Sequence, residues 1–174
     1  MKKKSYLLVL FTLGFLISIS LYFFSSSSSI DERYCKKFTD FFDEKFICEE
    51  LILIDTMNGV AIVRSNDSIV FAFLDNKMNF KNSIRSFALD SLQLSGDKIE
   101  WRATSHETSN YILGIATNDV EQIIIQSPSH MIPNNINYNG IRIFYSVFSS
   151  SDELLPVFIN GFDGEGSLIY GKEK

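Results

Sequence analysis

Two histidines, His106 and His130, are the residues of this chain best suited to moving protons near neutral pH. Each sits in a loop-like stretch, Ser105-His-Glu107 and Ser127-Pro-Ser-His-Met131. A serine nucleophile of the elbow type needs Gly-x-Ser-x-Gly, which occurs nowhere in the chain, so neither histidine has a nucleophile placed for it. Exposed loop histidines are the expectation, and no catalytic residue is assigned. Metal chemistry is no better served. His106, His130, Met131 and the two cysteines offer soft ligands, but no pair has the i, i+4 or Cys-x-x-Cys spacing that holds an ion, so no metal ligand and no cofactor is assigned. Asp163-Gly-Glu-Gly166 offers oxygen ligands without the Asp-x-Asp-x-Asp-Gly order of a calcium loop, and reads as a glycine-permitted hairpin turn.

Cys35 and Cys48 are the only cysteines. If residues 31 to 47 form one straight helix, positions thirteen apart are separated by roughly 20 Å and cannot bond. A disulfide therefore requires the helix to stop early; two thiols are the alternative. Trp101 and Tyr145 are the remaining singular side chains. Large aromatic residues in strands mostly fill cores, yet they also anchor interfaces, so both are kept as candidates for a recognition surface.

The N-terminal residues carry a membrane signal. Met1-Lys-Lys-Lys4 precedes an uncharged run from Ser5 to Phe24, and about 20 apolar residues suffice to cross a bilayer as a helix. The lysines place the N-terminus in the cytoplasm and the rest of the chain outside. Residues 1-24 read as a transmembrane signal anchor, with residues 6-24 in contact with the membrane, and 25-30 as a Ser-rich linker. Residues 31-174 read as an extracytoplasmic α+β domain with lobes 31-104 and 105-174. Cleavage within the serine run is the competing reading. All 21 acidic residues lie beyond the linker, where they outnumber the basic ones, which is the wrong sign for gripping phosphate backbones and excludes nucleic acid as a partner.

Tyr34, Phe38, Phe41, Phe42 and Phe46 recur at spacings of three and four, predicting an amphipathic helix over Asp31 to Phe46 whose Phe stripe packs on a sheet. From Glu50 the pattern becomes that of strands. Leu51 to Ile54, Val60 to Arg64 and Ile69 to Leu74, separated by Met57-Asn-Gly59 and Ser65-Asn-Asp-Ser68, predict a three-stranded antiparallel meander. Residues 82 to 94 lean to helix through Ile84, Phe87, Ala88 and Leu92, and Lys98 to Thr104 reads as a strand. Tyr111 to Ala116, Val120 to Gln126, Ile141 to Phe148, Leu154 to Ile159 and Leu168 to Tyr170 then predict a sandwich-like second half.

The series Gly114-Ile115, Val120-Glu-Gln-Ile-Ile-Ile125, Ile141-Arg-Ile-Phe-Tyr145, Pro156-Val-Phe-Ile159 and Asp163-Gly-Glu-Gly166-Ser-Leu-Ile-Tyr170 resembles the C-terminal half of small secreted or membrane-anchored proteins of low-GC Gram-positive bacteria. The resemblance implies an outward-facing β domain behind a single span and brings no activity with it. The expectation is a cell-membrane, single-pass protein that binds an envelope protein. An extracytoplasmic hydrolase and an accessory subunit of a membrane complex are the alternatives.

Overall fold

The computed structural model describes residues 30–42, 46–106, 109–126, 130–149 and 157–172, with two helices and twelve strands whose pairings are all antiparallel. The expected span and linker over residues 1-24 and 25-30 lie outside these except for Ile30. No helix among the described residues is long and apolar enough to cross a membrane.

The first helix, α1 (Ile30–Phe42), ends four residues short of the expected Phe46. Its stripe does reach a sheet. Phe38 is fully buried and Tyr34 and Phe42 are packed beside it, against Ala61, Val63, Val70, Ala72 and Phe80. The early stop lets the chain turn back along the helix. Cys48 comes to lie beside Cys35, the two are joined in a disulfide with Cα atoms 5.0 Å apart, and the Cys48 N–H donates to Thr39 Oγ1 at 3.2 Å.

The sheet under the helix has four strands rather than three: β1 (Glu50–Asp55), β2 (Val60–Ser65), β3 (Ser68–Leu74) and β4 (Phe80–Ala88), in sequence order. β4 occupies much of the segment expected to be helical. Ile84 and Phe87, three apart, suggested one helical face, but in a strand they point to opposite sides, and here both sides are covered. Phe80 and Ile84 face α1, while Phe87 faces the other way onto Phe71, with ring centroids 5.6 Å apart. Only α2 (Ser91–Ser95) remains of the predicted helix, closed by Gly96 at φ 74°, a left-handed cap that glycine adopts without strain.

Beneath lies a second sheet, ordered β5 (Ile99–His106), β6 (Ser109–Thr117), β10 (Ile141–Ser149) and β9 (Asn134–Tyr138). β5 runs through residues 104 and 105, where the two expected lobes were divided, and pairs along its length with β6. A third sheet follows, ordered β12 (Leu168–Tyr170), β11 (Phe158–Phe162), β7 (Gln122–Gln126) and β8 (His130–Met131). Strand alternation explains the stacking. Tyr111, Leu113 and Ile115 of β6 pack on Phe71, Phe73 and Phe87 of the first sheet, whereas Ile112 and Ala116 pack on Ile123, Ile125 and Ile159 of the third. The layers are thus helix, sheet, sheet, sheet. Gly114 falls on the second of those faces between Ile112 and Ala116, and it is glycine because Phe144 fills the space of a side chain: a Cβ there would come within 2.4 Å of the ring and 2.5 Å of the Glu100 carbonyl oxygen.

Candidate functional site

The strands of the first sheet give the domain two ends. The amino-terminal turn of α1 lies beside the start of β1, where Asp31, Glu32, Cys35, Cys48, Glu49 and Glu50 line a groove of about 450 Å³. The last turn of α1 lies at the other end, where Phe41 and Phe42 stand 6.3 and 5.9 Å from the Phe80 ring at the start of β4. At that end a smaller cleft of about 280 Å³ opens between the first and second sheets. Its walls are the β1–β2 turn, the β3–β4 turn, and the outer ends of β6 and β10.

Both turns are tied by an aspartate. Asp55 accepts from the N–H groups of Met57 and Asn58 at 3.1 Å each, from Asn58 Nδ2 at 2.6 Å and from the Tyr145 hydroxyl at 2.7 Å. Asp75 accepts from the N–H groups of Lys77 and Asn79 at 2.8 Å each and from Asn79 Nδ2 at 3.2 Å. Short polar side chains that bond the backbone a few residues on fix such loops in one conformation. The result is a rigid, polar mouth. Asn58, Asp75, Asn76, Lys81 and Ser109 line it, Tyr111 forms its floor with its ring 4.3 Å from that of Phe73, and Met57 stands at the rim, 95% exposed. With Lys81 and Asp75 as its charged lining residues, the mouth carries no formal excess of either sign.

Desolvation pushes the Asp55 carboxyl upward, but hydrogen bonds from Asn58, Tyr145 and the Met57 and Asn58 amides outweigh it and leave it below the ordinary 3.8. A carboxylate lowered in the folded state stabilises the fold above its unfolded value, and that stabilisation fades as pH falls through the folded one. Melting temperature should therefore hold down to about pH 4 and drop below it, and the drop should be shallower in Asp55→Asn. The parent and the variant showing identical acid profiles by circular dichroism would remove Asp55 from this role.

The candidates read from the sequence are scattered. Tyr145 is not part of a recognition surface: it is 3% exposed, facing the first sheet from β10, and its hydroxyl serves Asp55. Trp101 is half-buried and packs on the other face of the second sheet, against the core shared with the third. His106 ends β5, paired with Ser109, and His130 opens β8, paired with Gln126, so they belong to different sheets; their side chains lie outside the described residues. Asp163 does form the expected turn, accepting from the N–H groups of Glu165 and Ser167 between β11 and β12. Among the described residues no group of three His, Cys, Asp or Glu is placed to hold a metal ion. The cleft was missed, although Asp55-x-x-Asn58 and Asp75-x-x-x-Asn79 are the signals of tied turns that could have pointed to it.

No protein-family model matches the chain, and searches of curated proteins and of solved structures find no match to it.

Proposed function

We propose that this is a membrane-tethered, outward-facing recognition domain that holds a protein partner at the cleft end. The observation that carries the reading is the placing of the two ends. α1 begins at Ile30, the last residue of the run read as linker, and a span over residues 6-24 would set the groove end of the domain beside the bilayer and the cleft end away from it. β1 alone separates those ends by about 17 Å at the usual rise per residue. An exposed methionine within a rigid polar rim suits a protein surface, because the thioether is an adaptable apolar anchor surrounded by groups that fix orientation. The Cys35–Cys48 disulfide fits a domain outside the reducing cytoplasm.

Two measurements test this. Asp67, exposed in the β2–β3 turn, changed to Cys should react with an impermeant thiol reagent in whole cells, while Lys3→Cys should not. The reverse pattern would invert the topology. A photo-crosslinking residue in place of Met57 should capture a protein in intact cells, and Met57→Asp should reduce capture from a crosslinker at Thr56 by about tenfold, as loss of an interface anchor does. Undiminished capture with Met57→Asp would move the binding surface elsewhere.

A further inference from the structure

A strand at the edge of a sheet presents unpaired N–H and C=O groups, and proteins blunt such edges with charge, bulges or brevity. Among the described residues six strands lie at edges. β1 carries Glu50 and Asp55 and an irregular register between Leu51 and Leu53. β4 carries Lys81 and Arg85, and β5 carries Glu100 and Arg102. β8 has two residues and β12 three. β9, Asn134-Asn-Ile-Asn-Tyr138, has none of these protections, and its register with β10 is unbroken from Tyr138↔Ile141 to Asn134↔Tyr145.

The turn that joins these strands shows which groups of β9 face outward. Asn139 at φ 46° and Gly140 at φ 79° make a two-residue turn of the type that suits a hairpin, so Tyr138 and Ile141 form a hydrogen-bonded pair. Alternation then directs the backbone groups of Asn134, Ile136 and Tyr138 toward β10, and the N–H and C=O groups of Asn135 and Asn137 away from the sheet. Ile136 and Tyr138 pack on the core beneath, while the side chains of Asn135 and Asn137 are exposed. An added strand would meet two ready N–H and C=O pairs with an apolar position between them.

Charge selects the occupant. The Tyr138 hydroxyl donates to Glu50 Oε2 at 2.6 Å, which joins this end of β9 to the groove lined by Asp31, Glu32, Glu49 and Glu50. Arg64 pairs with Glu49 at 3.3 Å and also reaches the Tyr138 hydroxyl, so this one guanidinium stands among the four carboxylates of Asp31, Glu32, Glu49 and Glu50 that line the groove. We infer that β9 takes an extended, basic segment of a partner protein as an added antiparallel strand, its lysines or arginines reaching the acidic groove past Tyr138. Main-chain hydrogen bonds would supply the affinity and the groove the preference for positive charge. This surface is separate from the cleft, and the inference stands or falls without it.

The test uses the full-length protein in detergent micelles and two fluorescent peptides of alternating Thr and Ile, one led by two lysines and the other by two glutamates. The lysine peptide should bind at least about tenfold tighter by anisotropy, and Glu49→Gln with Glu50→Gln should erase that preference. Asn137→Pro removes an outward N–H without touching the ladder to β10, so it should weaken the lysine peptide by about tenfold or more while thermal melting stays near that of the parent. If that variant does not fold, Asn135→Lys, at an exposed position, serves the same purpose by charging the edge. Binding by these variants equal to the parent overturns the inference, as does failure of the folded parent to bind the lysine peptide. Efficient disulfide crosslinking between copies carrying Asn135→Cys and Asn137→Cys would also overturn it, because it would show that a second copy occupies the edge.

Discussion

Phe38→Ala should lower the stability of the domain by about 3 to 5 kcal/mol, the cost of deleting a fully buried Phe from a site that cannot collapse around the loss. Phe38 is 0% exposed, and its ring lies 4.9 Å from that of Phe42 and 5.5 Å edge-on from that of Phe80. Beneath it are Ala61, Val63, Val70 and Ala72, small or branched residues whose backbones are fixed in the ladder of the first sheet. They cannot rise to fill a cavity. At roughly 2 to 4 °C per kcal/mol for a domain of this size, the thermal midpoint should fall by on the order of 10 °C. Phe41→Ala, at a side chain 45% exposed, should cost far less, and Lys37→Ala on the solvent face should cost almost nothing. Melts of the full-length protein followed by circular dichroism would decide. Equal midpoints for Phe38→Ala and the parent would mean that α1 contributes no core, leaving its aromatic stripe free for a membrane or a partner.

The Phe stripe was legible because a helix of 3.6 residues per turn repeats its face, and Tyr34, Phe38 and Phe42 sit four apart. Where that helix ends was not legible from periodicity, since Phe46 continues the spacing beyond the last helical residue, Phe42. Three strands of the first sheet, β1, β2 and β3, are legible from their β-branched and aromatic runs. β4 was misread because its few apolar residues are divided between two faces, Phe80 and Ile84 toward α1 and Phe87 toward the second sheet, with Lys81, Asn82, Ser83, Arg85 and Ser86 between them, so no period of two stands out. β9 was hidden by its composition, since three asparagines in five residues look like a loop. Its strand character comes from the Asn139-Gly140 turn and from β10 beside it. The same polarity that hid the strand is what leaves its edge free of charge and able to pair.

Site residues were harder to read than strands. Tyr145 was distinctive in the sequence because it is large and amphipathic, and it proved to be a structural post whose hydroxyl reaches Asp55 across the two sheets. The groups around the cleft are short, common polar residues on two turns separated by the length of β2 and β3, and only pairing of those strands brings the turns together. Nothing in either turn alone marks the other as its neighbour.

Removing the Cys35–Cys48 bond should cost about 3 kcal/mol, from the entropy that closing a loop of this length takes out of the unfolded chain. The bond closes 13 residues of sequence separation and ties the middle of α1 to the segment that leads into β1. Without it, α1 is held by its apolar face and by the Cys48 N–H to Thr39 Oγ1 bond, and a helix of 13 residues is marginal without tertiary support. The effect should therefore be local before it is global. Cys35→Ser with Cys48→Ser, or reduction with dithiothreitol, should speed amide exchange in α1 first, while β6, buried on both faces, keeps its protection. Phe38→Ala added to the double serine variant should cost less than in the parent, because the two changes weaken the same contact and such neighbours are not additive. If reduction instead leaves α1 exchange unchanged and the midpoint within about 1 °C of the oxidised protein, the bond is not what holds the helix down. The Phe38 cluster would then carry the docking alone, and folding of the domain would be indifferent to the redox state of its compartment. Faster exchange in α1 on reduction would make the docking of this helix, and with it the acidic groove that Cys35 and Cys48 help to line, dependent on the oxidised bond.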